Sequence, residues 1–340
     1  MRKLTTSILV IVSVAAGVAF AREDAAPPAL PDLTAFDLMR SDAGKTPVYS
    51  TVAEAADELK NYDVIFLGEW HDHAGNHLAE MELFREIYAR APELALSMEQ
   101  FERDVQPVVN DYLAGRIGEE ALVRRARAWG NYAESYRPLV EFAKEHDLPV
   151  IAANAPAALV RCIGEKGPEF LTQLDPEKRL WAAATLHLQD GAYKDKFMRF
   201  LAEDGSHGTP ASNPEAAAAN ARAYAAQVLR DDTMAESIAN FLQKNRGRKV
   251  VHITGDFHVE SGLGTVERLK DRMPGLKIAV VAPVEAKDPD HPGVSPADAK
   301  NGDYLFLLRA DPKEYVSDAE EKAAEAEQRA NFRNRPQCKL

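Results

Sequence analysis

Val64-Ile65-Phe66-Leu67-Gly68-Glu69-Trp70-His71 and Val250-Val251-His252-Ile253-Thr254-Gly255-Asp256-Phe257-His258 decide how this chain is read. Each is an apolar, β-branched run of strand length that ends in Gly, a carboxylate, an aromatic residue and a His. At this composition chance supplies about 0.006 such tetrads. Two of them after strand-like runs mark a site, with an acid and an imidazole placed where a buried strand leaves its sheet.

Working outward, residues 94–99, 148–154, 276–284 and 303–308 read as further buried strands. Residues 51–61, 76–91, 106–113, 119–129 and 135–146 carry helical stripes. This alternation predicts an α/β fold, a mainly parallel sheet flanked by helices. In such sheets ligands bind beyond the carboxyl ends of the strands. Strand signals vanish over residues 157–246, which read as a helical insertion forming a lid or subdomain over the carboxyl edge, with a loop at 203–213. The expected organisation is a signal peptide at 1–21, a leader and linker at 22–50, the α/β domain at 51–310, and a charged helix and tail at 311–340.

Arg2 and Lys3, an apolar run over residues 8–20 and the small-x-small ending Ala19-Phe20-Ala21 predict export with cleavage after Ala21, hence a periplasmic or secreted protein. No Cys stands near that point to accept a lipid. No later run of about 18 apolar residues predicts a membrane span in the mature chain. Loss of the signal takes the formal charge from −12 to −14, which repels phosphate backbones and argues against nucleic acid as a partner. Cys162 and Cys338 are the only cysteines. Export permits a disulfide between them, but spacing alone does not pair them.

Glu69, His71, His73 and His77 fall within nine residues. A helix starting near Ala74 sets His73 and His77 one turn apart, with His71 just before it. Such imidazoles suit a borderline transition metal, with Glu69 or Glu99 supplying oxygen. Helix capping is the plainer reading of any one of them, and a weaker one for all four. Four strand tips end in Glu69 and His71, Glu99, Asn154, and Asp256 and His258, so the acids and imidazoles are expected to converge on one edge. Two carboxylates brought close share a proton or bind a cation.

The motifs taken together resemble the ChaN-like haem-binding uptake proteins, within the superfamily that also holds Tiki and TraB proteins and resembles erythromycin esterases. The resemblance rests on Gly68-Glu69-Trp70-His71 with His77, Met98-Glu99-Gln100-Phe101-Glu102-Arg103, and residues 129–136 leading into Ile151-Ala152-Ala153-Asn154. Arg230-Asp231-Asp232-Thr233-Met234-Ala235 and Gly255-Asp256-Phe257-His258 complete the ordered set, which spans residues 63–284. It implies an exported protein of iron or haem uptake that binds haem at the carboxyl edge. It further implies a homodimer around two stacked haems, and haem or iron transport machinery as a partner. Carried over by position, the haem-binding residues are Glu69, His71, His77, Glu99, Arg230 and His258. Two features depart from the pattern: members are commonly lipoproteins, and Asp256 and Phe257 stand where smaller or more polar residues are common.

Haem requires apolar walls, an axial ligand and cations for its propionates. Trp70, Phe101, Trp129 and Phe257 are candidate walls, and His71, His77, His258, Tyr132 and Tyr136 candidate ligands. Arg103, Arg137 and Arg230 are the candidate cations. No c-type attachment motif occurs, so the haem is expected to be noncovalent. The alternative is a metal-dependent hydrolase, protease or esterase. In that reading His71, His258 and Glu99 hold a divalent transition metal, Glu69 and Glu99 are the catalytic carboxylates, and Glu69 takes a proton from bound water. A serine hydrolase is disfavoured by the absence of G-x-S-x-G.

Overall fold

All six residues of the strand Val64–Glu69 are buried, as a strand covered on both faces requires. Ile65 and Leu67 enter one apolar core while Val64 and Phe66 enter another, following the two-residue period of a strand. This computed structural model describes residues 26–42, 45–203, 213–333 and 338–340; the predicted signal and most of the predicted loop at 203–213 lie outside them.

Eight strands form a single sheet: β1 (Phe36–Arg40), β2 (Val48–Ser50), β3 (Val64–Glu69), β4 (Leu94–Glu102), β5 (Val150–Asn154), β6 (Lys249–Gly255), β7 (Ile278–Ala286) and β8 (Tyr304–Arg309). Their order is β2-β1-β8-β7-β3-β6-β4-β5. The six strands from β3 to β8 are parallel, which confirms the α/β class. β1 and β2 add an antiparallel margin next to β8, inside the segment read above as leader and linker. Their polar residues and short length hid them.

The helices are α1 (Val52–Leu59), α2 (Ala74–Arg90), α3 (Gln106–Leu113), α4 (Glu119–Arg125), α5 (Arg137–Glu145), α6 (Ala157–Lys166), α7 (Pro176–Arg179), α8 (Ala192–Glu203), α9 (Pro214–Lys244), α10 (Thr265–Arg272) and α11 (Asp318–Arg333). Helices α1 to α5 cover one face of the sheet, and the second half of α9 with α10 covers the other. Local signals set the starts. Thr51 and Glu54 form a reciprocal capping box at α1, and Asn213 followed by Pro214 opens α9.

Residues 157–246 divide between two tasks. The first half of α9 packs on α6 and α8 in satellite cores that reach Phe257 at the tip of β6, while its second half is a sheet-covering helix. Cys162 of α6 and Cys338 form a disulfide, the pairing that the sequence left open. β5 is the last strand of the sheet, and its outer edge is occupied: the Gln106 side chain donates to Val150 O and accepts from Ala152 N, both at 2.8 Å.

Candidate functional site

β3 and β6 run in register, with Glu69 beside Gly255, so both tetrads leave the sheet side by side. β4 contributes through an irregularity: its register with β5 shifts between Met98 and Glu102, and both Glu99 and Gln100 are buried. The strand thus continues to Glu102 rather than stopping at Glu99. Gly255 makes room for the neighbours. A Cβ there would stand 2.8 Å from His71 Cε1 and Nε2 and 3.7 Å from Glu99 Oε2.

Glu69 is an orienting carboxylate. Its Oε1 accepts from His71 Nδ1 at 2.6 Å, from Gln100 Nε2 at 2.8 Å and from the Tyr136 hydroxyl at 2.8 Å. Its side chain has no exposed area, whereas that of His71 is 42% exposed. Tyr136 belongs to a π turn, Tyr132–Tyr136, just before α5. Burial works against charge on His71, but the Glu69 hydrogen bond and the Glu99 carboxylate outweigh it and raise its pKa. Trp129 meets the His71 ring edge-on at 4.9 Å.

His258 repeats the design from the other side. Its Nδ1 donates to Asp231 Oδ1 of α9 at 2.8 Å, and its Nε2 stands 3.4 Å from Glu99 Oε1. The Tyr193 and Thr265 hydroxyls donate to the same aspartate at 2.6 and 2.9 Å. Burial opposes the imidazolium, yet Glu99 and Asp231 hold its pKa up to about 10. Burial likewise opposes charge on Glu99, but the His258 charge and hydrogen bond, His71 and Thr254 hold it well below the usual carboxylate range. Glu99 Oε2 accepts from the Thr254 hydroxyl at 2.6 Å and from Gly255 N at 2.8 Å. The edge is therefore an ionised carboxylate near two imidazoles, each braced through Nδ1 by a buried acid, the pattern that fixes a histidine's tautomer and ring orientation.

Glu69, His71, Glu99 and His258 come together as the convergence of strand tips required. His77 stands behind them, its Nε2 donating to His71 O at 2.8 Å. Next to it Glu80 is fully buried, and burial together with the Glu69 charge pushes its carboxyl well above the ordinary range. His73 is elsewhere: it caps α2 by accepting from Asn76 N, and its Nε2 donates to Arg309 O. The Asn154 side chain turns back to Ala155 N. Among the candidate cations, Arg103 is tied to Thr233 O, Ser237 and Glu236, and Arg137 pairs with Glu119. Arg230 is half-buried on α9, and its side chain makes no hydrogen bond or ion pair with a described residue. Phe101, Tyr132 and Tyr136 are core side chains. Asp231 and Gln100 lie inside motifs quoted from the sequence but carried no assigned role there, and Glu80 was not singled out. The available signal for Asp231 was a pair of acids, Asp231 and Asp232, lying between Val228-Leu229 and Met234-Ala235 in one helix.

Known proteins resemble this chain to different degrees. The ChaN protein of Campylobacter jejuni, described with cofacial haem binding, superposes with a TM-score of 0.59 over 81% of this chain and 97% of its own, at 15% identity. An erythromycin esterase, EreC, in its open conformation gives a TM-score of 0.46 at 12% identity, over 78% of this chain and 95% of its own. Protein RETICULATA-RELATED 5, chloroplastic, of Arabidopsis thaliana is 24% identical over 270 residues, 75% of this chain but only 35% of that relative, so the chain spans about a third of its length. Residues 55–269, more than half of the chain and the part that carries every site residue above, match one family as a whole. The chain belongs to the family described as haem-binding uptake, Tiki superfamily, ChaN.

Proposed function

We propose that this is an exported protein of haem or iron uptake that binds haem noncovalently at the carboxyl edge, with His71 toward the iron. The observation that carries this reading is the exposure of His71. It is the one imidazole of the site with 42% of its side chain accessible, its Nδ1 is already fixed by Glu69, and Trp129 stands beside it, whereas the Trp70 ring packs edge-on against His73. Glu69, His77, Glu99 and His258 are buried and act from behind. Arg230 is the available cation for a propionate. The exposed His71 side chain suits cofacial haem binding, as described for the Campylobacter jejuni ChaN protein, and two copies of this chain would then meet around the stacked haems. Haem bound there supplies a redox-active iron and the cargo itself; the chain supplies its ligand, charge partner and orientation.

Metal-dependent hydrolysis is the second reading, favoured by one feature haem does not require: His258, 6% exposed, is held between Glu99 and Asp231. His71, His258 and Glu99 would hold the divalent ion, which supplies Lewis acidity. Glu69 lies behind His71 with no exposed side-chain area and with Oε1 taking three hydrogen bonds, so its part in this reading is to orient that ligand. Hemin titration of the mature protein tests the first reading. A Soret shift that His71→Ala abolishes and His258→Ala retains supports it. Metal-dependent ester or peptide cleavage lost in Glu99→Gln, with no response to hemin, would replace it with the second.

A further inference from the structure

Glu69 Oε1 takes three hydrogen bonds, yet its Oε2 is buried and has none. Oε2 faces His77 Nδ1 at 3.6 Å, and the same nitrogen is 3.1 Å from Glu80 Oε2. The His77 Nε2–H is committed to the His71 carbonyl, so the neutral ring presents a lone pair at Nδ1. Donor atoms of Glu69, His77 and Glu80 all lie within 4.8 Å of one another, and all three residues are buried. Nitrogen and oxygen ligands placed tetrahedrally at ~2.1 Å from zinc stand roughly 3.4 Å apart. The separations of 3.1 and 3.6 Å bracket that spacing.

We propose that Glu69, His77 and Glu80 form a buried site for one divalent transition-metal ion, separate from the edge made by His71, Glu99 and His258. Two carboxylates and an imidazole suit Zn2+ or Mn2+, and the double positive charge balances two acids that the fold otherwise buries against each other. Each ligand is already fixed through its other atom: Glu69 by three donors, His77 by a carbonyl, and Glu80 Oε1 by Asn76 Nδ2 at 3.3 Å. The ion would clamp Glu69 and, through it, the His71 ring, which is the part an outer ligand shell plays. The inference is independent of haem. Its rival is a proton shared between Glu69 and Glu80.

Protein produced in medium supplemented with Zn2+ or Mn2+ and desalted through EDTA is analysed for metal, beside Glu80→Gln, His77→Asn and His258→Ala. The expected result is about one ion per chain in the wild type and in His258→Ala, and about tenfold less in the other two. A wild type that carries under about a tenth of an ion per chain, with a Tm that neither metal moves, leaves only the shared proton and overturns the proposal. An ion kept in Glu80→Gln but lost in His258→Ala also overturns it, because that ion lies at the open edge. Should Glu80→Gln fail to fold, the wild-type metal content and His77→Asn decide.

Discussion

Asp231→Asn removes one of the two carboxylates that hold the His258 charge while keeping the shape of the side chain. The rise of that imidazole from 6.5 to about 10 corresponds to ~5 kcal/mol at about 1.4 kcal/mol per pKa unit. The Glu99 charge is the largest single favourable cause and the Asp231 charge and hydrogen bond follow it, so loss of Asp231 is expected to cost ~2 kcal/mol and to lower the His258 pKa. A pKa raised on folding contributes stability that is complete below the unfolded value of about 6.5 and is lost as pH rises through about 10. The difference in denaturant midpoint between wild type and variant is therefore expected to be greatest at about pH 6 and to shrink toward pH 10. Proton NMR of the His258 ring follows the same titration directly. A stability difference that does not vary with pH, or a wild-type His258 that titrates near 6.5, would refute this account of the edge.

Three further outcomes are expected. Burial raises the Asp256 pKa from 3.8 to about 7, and its Oδ1 has no hydrogen-bond partner; Asp256→Asn should therefore stabilise the fold increasingly from about pH 4 to 7, by at most ~4 kcal/mol above that range, measured by thermal unfolding across pH. Gly255→Ala sets a methyl group 2.8 Å from the His71 ring, so hemin affinity should fall about tenfold or more while stability drops by ~1–3 kcal/mol; unchanged hemin binding would show that the ring position is immaterial. The Cys162–Cys338 bridge closes a separation of 176 residues, and chain entropy alone puts its worth at ~5 kcal/mol, so Cys338→Ser should lower the guanidinium midpoint by an amount that reductant reproduces in the wild type.

The six parallel strands were legible because strands buried on both faces read as continuous apolar runs, as in Val64-Ile65-Phe66-Leu67. β1, with Asp37 and Arg40, and the three residues of β2 lack such a run; their pairing is tertiary information. The edge itself was visible in its two tetrads, since each lies at the end of a strand and local pattern fixes that. Its supports were not. Asp231 braces His258 from the middle of a helix 27 positions earlier, and Glu80 reaches Glu69 from the second turn of α2. Both are acids in helices, where exposure is the ordinary expectation, and only the folded geometry buries them. Arg103 and Arg137 read as free cations in the sequence because their carboxylate partners lie on other elements.

Gln106 is a single amide that imitates a ninth strand, giving and taking one hydrogen bond each along the outer margin of β5. A sheet whose last strand is stoppered in this way resists lateral growth, so edge-to-edge aggregation through β5 must first evict that side chain. A pairing of two copies around haem, as proposed above, would then use the ends of the strands and leave that flank closed.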